Sequence, residues 1–253
     1  MPFSVTITES SLATVVQDTT VIDLVYLFGT SDLDADPDIN TPIPVEGLQS
    51  FNARFPNTPQ ETQTSVKFFF DNYPQGSLFF VSCHDADVIT GGGTQQDAGH
   101  FTKAAEVIAK RNDLDLGIIV TAEMATKTTQ ADRTTVYSAL QGLAEKLDWV
   151  QFVNLAAKTK ADAITERNLY GSTYGHSAAY YGFINDSAGN PLGVNIGAAI
   201  VASKRSRLES PYSPPAGVDY PLSGVVAVDP YVDIESDYQD LRIERLLELS
   251  LQL

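Results

Sequence analysis

Three consecutive stretches decide the fold: LGIIVT (Leu116–Thr121), DRTTVYSALQGLAEKL (Asp132–Leu147) and WVQFVNL (Trp149–Leu155). The outer two are short, apolar and rich in β-branched residues, and they read as strands. The middle one puts Val136, Leu140, Leu143 and Leu147 in helical phase. A strand, a helix and a second strand in succession form the repeating unit of an α/β sheet.

Working outward, the alternation persists. A helix is expected over Phe101–Arg111, with Ala104, Ala105, Ile108 and Ala109 turned inward. On the other side come a helix at Asp162–Leu169, a strand at Ala178–Asn185, a turn at Ser187–Pro191 and a helix of small residues at Ile196–Arg207. A strand at Leu222–Val228 and an amphipathic helix at Ser236–Leu253 follow, the latter with Leu241, Leu246, Leu249 and Leu253 roughly in phase. Toward the N-terminus, Val21–Phe28 (VIDLVYLF) reads as a buried strand stopped by Gly29. An acidic loop, Ser31–Asn40, precedes an extended Thr41–Val45 that carries two prolines. Helices are expected over Glu46–Phe55 and Glu61–Tyr73, and a strand over Ser77–Cys83. Ser4–Ile7 alternates like a strand but has no hairpin partner nearby; it either frays or pairs elsewhere, another chain included. The fold class is α/β, with mixed sheets and helices on their faces. The expected divisions are 1–20, 21–90, a glycine-rich linker at 91–100, an α/β domain at 101–235 and a C-terminal helix at 236–253.

Composition narrows the function. The 253 residues are 43% apolar and 19% charged, which is globular composition. A formal charge of −16 argues against sequence-neutral nucleic-acid binding and against docking on anionic lipid. Residues 1–53 hold eight acids and no Lys or Arg, and residues 208–253 hold nine acids and two bases. Residues 103–207 hold twelve bases and ten acids. Acidic ends and a basic middle suit either plain solubility or pairing between neighbouring copies. The single cysteine, Cys83, has no intramolecular partner for a disulfide. Met1–Ser10 lacks the basic and apolar regions of a signal peptide, and no apolar run is long enough to span a bilayer, so synthesis in the cytoplasm is expected.

The catalytic inventory is thin, and no catalytic, cofactor-binding or metal residue is assigned. Gly91–Gly93 has neither the Gly-Lys-Ser/Thr of a phosphate loop nor the G-x-G-x-x-G spacing, and reads as a hinge. His84, Asp85, Asp87 and His100 offer a partial ligand set in a region where loop polarity is expected anyway. Cys83 and His84 are adjacent on a strand and face opposite ways, which is wrong for a nucleophile and its base. The run Tyr170, Tyr174, His176, Tyr180 and Tyr181 suits a core rim or an interface. Asp32, Asp34, Asp36 and Asp38 alternate like a calcium loop but lack its sixth-position glycine and closing glutamate.

Several marks in order resemble a known family. They are VIDLVYLFGTS, TPIPVEGLQSFNARFP, VKFFFDNY and SLFFVSC within residues 21–83. Later come Ala178–Tyr181, NIGAAIVASKRSR, Pro215-Ala-Gly217, Leu222-Ser-Gly-Val225 and Gln239-Asp-Leu241. Their order is that of contractile tail sheath proteins of myophages and related injection machines. Departures are Tyr180-Tyr-Gly-Phe183 for the family's Tyr-Tyr-Pro-Trp, and Ser210–Pro214 for its Gly-Val-Trp. The family also continues past the Gln-Asp-Leu mark into a further domain.

The resemblance implies a sheath-like fold with an extended N-terminal arm, no enzyme activity and no cofactor. It implies a six-start helical sleeve of copies around a tail tube, with baseplate and terminator proteins as further partners, located in a virion's tail. Contraction would drive the tube through an envelope to deliver a genome, with terminal arms adding strands to neighbours' sheets. Carried onto this sequence, the interface candidates are Ser4, Val5, Thr6 and Ile7 of the arm, Lys204, Arg205 and Arg207 on a basic surface, and Asp237, Gln239 and Asp240 near the C-terminus. The alternatives are a sheath-like terminator or baseplate adaptor, and a small-molecule-binding or hydrolytic α/β protein using loops such as His84–Asp87 and Thr121–Lys127.

Overall fold

The computed structural model describes residues 23–31, 38–91, 97–124, 129–170, 176–208 and 220–229, and the backbone of Leu246–Leu247. Five strands carry the fold. They are β1 (Leu24–Thr30), β3 (Ser77–Cys83), β4 (Gly117–Thr121), β5 (Val150–Asn154) and β6 (Ser177–Tyr180). With β2 (Pro42–Val45) at one edge and β9 (Leu246–Leu247) at the other, they form one sheet of order β2-β3-β1-β4-β5-β6-β9. Only β2 runs antiparallel, so the sheet is mixed. A two-stranded ribbon of β7 (Phe183–Asn185) and β8 (Ala227–Asp229) stands beside it.

The period-2 alternation of the strands sorts their side chains onto two faces. Val25, Leu27, Leu78, Phe80, Ile118, Val120, Phe152 and Tyr180 belong to one core. Three helices close it: α1 (Leu48–Arg54), α2 (Gln60–Asn72) and α7 (Val194–Leu208). Phe51, Phe55 and Phe80 meet there with ring centroids 4.8–5.4 Å apart. The opposite face sends Tyr26, Phe28, Val81, Ile119 and Val153 into a second core under α4 (Ala98–Ile108), α5 (Gln130–Leu147) and α6 (Lys160–Leu169). The short α3 (Ala86–Thr90) follows β3. On this second face the Tyr26 ring stacks on Trp149 at 4.2 Å. Threonines start two of the helices: Thr129 and Thr159 accept from the backbone N–H of Asp132 and Asp162, each at 3.2 Å.

The strands and helices expected between Leu24 and Leu208 are present, and along the whole chain three expectations are corrected. First, Ala178–Asn185 is two strands, because Gly182 turns the chain with a φ of 95° and sends Phe183–Asn185 to the ribbon. Second, the strand expected at Leu222–Val228 is confined to Ala227–Asp229, with a turn before it. Third, within the helix expected at 236–253, Leu246 and Leu247 are extended and pair with Ala179 and Tyr180 of β6. Strands before and after the glycine-rich stretch belong to one sheet. β1 lies hydrogen-bonded between β3 and β4, so segments 21–90 and 101–235 share one sheet, and α4 already begins at Ala98. The expected arm at Ser4–Ile7, the acidic loop residues 32–37 and the rest of the C-terminal stretch lie outside the described residues.

Candidate functional site

The parallel strands end along one rim, at Thr30, Cys83, Thr121, Asn154 and Tyr180. In sheets of this kind ligands bind at that rim, where successive connections leave toward opposite faces. Here the connection after β1 runs through α1 and α2 on one face, while α4 and α5, after β3 and β4, cover the other. The crevice therefore falls between the ends of β1 and β4. Glu123, two residues past β4, fills it and is fully buried. Its Oε1 accepts from the Thr30 N–H at 2.8 Å and from Thr62 Oγ1 at 3.0 Å, and its Oε2 accepts from Thr30 Oγ1 at 3.0 Å. Burial pushes its pKa up to about 7; the Thr30 and Thr62 hydrogen bonds act the other way, and the Glu61 charge adds to the rise. Gly29 makes room for it, since a Cβ there would stand 2.9 Å from Glu123 Oε1 and 3.0 Å from the Phe80 ring.

Two further positions on the rim are filled in the same way. The N-terminus of α7 is the natural anion site of the β5 end. Asn154 occupies it, its Oδ1 accepting from the Val194 N–H and from the Asn195 N–H at 3.1 Å. The Asn154 amide donates to Leu155 O at 3.1 Å and Gly182 O at 3.2 Å. Asn195 then ties α7 to the sheet through Thr121 O at 3.0 Å. Beyond β5, the N–H groups of Ala156 and Ala157 are taken by Glu166 Oε2 at 3.0 and 2.9 Å. Arg133 Nε pairs with Glu166 Oε1 at 2.9 Å, and the Tyr170 hydroxyl donates to the same oxygen. Burial pushes the Tyr170 hydroxyl pKa up, so it stays a donor. A polar cavity of about 240 Å³ opens beside this cluster, lined by Gln130, Arg133, Asp162, Thr165 and Glu166 among others.

The residues flagged from sequence for metal or nucleophile chemistry have other occupations. The rings of His84 and His100 stack at 5.5 Å. His100 Nδ1 accepts from the Asp85 N–H at 2.7 Å, and the Asp85 carboxylate accepts from the Asp87 N–H at 3.1 Å as the cap of α3. Among the described residues no group of three or more His, Cys, Asp or Glu is placed to hold a metal ion. Cys83 is buried, and burial pushes its thiol well up. Tyr170, Tyr180 and Tyr181 are core residues, His176 Nδ1 lies 2.9 Å from Trp149 O, and Tyr174 lies outside the described residues.

Of the interface candidates, three are described, all on α7. Arg207 is engaged within the chain: it pairs with Asp23, donates to Gln75 O at 3.4 Å and lies 5.6 Å from the Tyr73 ring centre. Arg205 lies 5.0 Å from the Tyr220 ring centre. Lys204 is half-buried and has no ion pair among the described residues, and desolvation lowers its pKa. Ser4, Val5, Thr6, Ile7, Asp237, Gln239 and Asp240 lie outside the described residues. Sequence reasoning missed Glu123, Asn154 and Glu166. A faint signal existed for Asn154, a polar residue inside the apolar run QFVNL. The loop Thr121–Lys127 drew notice as a ligand loop, yet its Glu123 turns into the protein.

No protein-family model and no curated protein matches the chain. Solved assemblies do contain chains of its fold. One is an extracellular contractile injection system, the PVC sheath complex in its contracted state. Its chain aligns at a TM-score of 0.59 and 14% identity over 87% of this chain and 54% of its own length. Another is the anti-feeding prophage (AFP) baseplate in its contracted state, at 0.57 and 17% over 87% of this chain and 55% of its own. This chain thus spans about half the length of the chains it matches. At these identities the likeness is one of fold. The fold is that of sheath and baseplate chains of contractile injection systems, as the sequence resemblance led one to expect.

Proposed function

We propose that the chain is a structural subunit of a contractile tail or injection machine, of the sheath type. Copies would polymerise as a helical sleeve around a tube, and contraction of the sleeve would drive the tube forward. The shared fold with a sheath chain, over 87% of the present sequence, carries the reading. The rim adds support. At the ends of β1, β4 and β5, Glu123 and Asn154 occupy with their own polar groups the positions where an α/β enzyme of this topology would receive substrate. Such internal ties suit a subunit whose body moves as a unit.

In this reading the arm at Ser4–Ile7 joins a neighbouring copy by strand addition, and the C-terminal segment with Asp237, Gln239 and Asp240 is the other interface element. Lys204, half-buried on α7 and without an ion pair among the described residues, is one basic residue that an acidic neighbour could meet. The tube, baseplate and terminator proteins are the other partners, and the assembled particle is the location.

A baseplate role is the second reading, favoured by the match to the AFP baseplate chain. Trimming residues 1–12 tests the arm. The trimmed protein is expected to keep its circular dichroism spectrum and melting temperature and to lose polymer formation in pelleting assays. Pelleting equal to that of the full chain would overturn the arm's role.

A further inference from the structure

We infer that Pro42 and Pro44 close one edge of the sheet to the addition of a further strand. Among the described residues β2 is the last strand on its side, paired antiparallel as Pro42 with Val81, Ile43 with Phe80, Pro44 with Phe79 and Val45 with Leu78. Along such a ladder, alternate residues turn their N–H and C=O groups toward the partner strand and away from it. Proline has no N–H. The inward donors of β2 are therefore those of Ile43 and Val45, and the outward positions are Pro42 and Pro44. The outer rim offers two carbonyls and no donor, and the proline rings stand where an incoming carbonyl would sit.

The placement separates packing from pairing. Ile43 and Val45 supply the apolar contacts to the core under α1 and α2. Substituting the prolines with ordinary strand residues would keep those contacts and leave a short apolar edge with free outward donors and acceptors, the kind that pairs with an exposed strand. At the opposite edge β9 covers only Ala179 and Tyr180 among the described residues, and β6 contains no proline. One closed edge makes any strand addition directional. Two open edges would let copies join edge to edge in unplanned registers, a hazard that grows with local concentration in an assembly. The closure is a property of the single chain and does not depend on its being a sheath subunit.

The test uses the full chain with Pro44→Val and with Pro42→Thr/Pro44→Val. Pro44 is exposed, so the single variant restores one outward N–H without disturbing the core and carries the test should the double variant not fold. Pro74→Ala, an exposed turn proline, controls for loss of rigidity alone. Relative to wild type at equal concentration, the edge variants are expected to shift to larger sedimenting species and to gain thioflavin-T signal. The new amide at position 44 is expected to become more protected from exchange as concentration rises. Pro74→Ala is expected to match wild type. A natively folded Pro44→Val protein that sediments as wild type, with its new amide exchanging freely at every concentration, would overturn the inference.

Discussion

Glu123 is where the sequence and the fold disagree most sharply at the level of a single residue. A carboxyl group with no exposure is expensive unless neutral or well bonded. Here it has three hydrogen bonds from Thr30 and Thr62, and its pKa is still pushed up to about 7 by burial. A folded pKa raised above the usual 4.5 means that the native state holds a proton the unfolded chain releases. The associated stability is complete below pH 4.5 and is lost as pH rises through 7, a change of about 3 kcal/mol. Glu123→Gln keeps the shape and removes the titration. The difference in urea-unfolding free energy between wild type and variant is therefore expected to move by about 3 kcal/mol between pH 4.5 and 8, in the variant's favour at the higher pH. An equal difference at both ends would show that the carboxyl is not desolvated as described.

Among the elements, α7 depends most on a residue outside itself. It is buried on almost every side and carries Val194, Ile196, Ala198, Ala199, Ile200 and Val201 into the core, so its first N–H groups have no water to turn to. Asn154 supplies both acceptor and donor functions at that end. Asn154→Ala is expected to cost about 3 kcal/mol or more, since it leaves buried backbone groups without partners. Asn154→Asp keeps the acceptors and is expected to cost less. Chemical denaturation of the two variants decides the order, and an alanine variant within experimental error of wild type would refute the capping role. Such long-range ties explain what was legible in the sequence. Ser77–Cys83 and Gln130–Leu147 follow from periodicity and breakers, which are local signals. The Asn154–Asn195 tie spans β5 and α7 and leaves only the faint trace of a polar residue inside QFVNL, and the contact of Glu123 with Thr62 leaves none. The ribbon at Phe183–Asn185 was hidden for a different reason: AAYYGFIN is apolar throughout, and only the left-handed turn at Gly182 splits it. The extended pair at Leu246–Leu247 reverses a helical pattern because β6 needs a partner strand.

On the scale of the whole molecule, the described parts form one layered body. Both sheet faces are sealed by helices, the rim is filled by internal polar groups, and one sheet edge is closed by prolines. In the proposed assembly, copies that each carry a formal charge of −16 repel unless opposite patches are matched. The most direct test is negative-stain electron microscopy of the purified full-length protein over a range of concentrations. Hollow tubes with regular striation are the expected result, and their lattice would give the helical symmetry; closed rings would favour the baseplate or terminator role. Monodisperse single particles of monomer size at every concentration would contradict a self-assembling structural subunit.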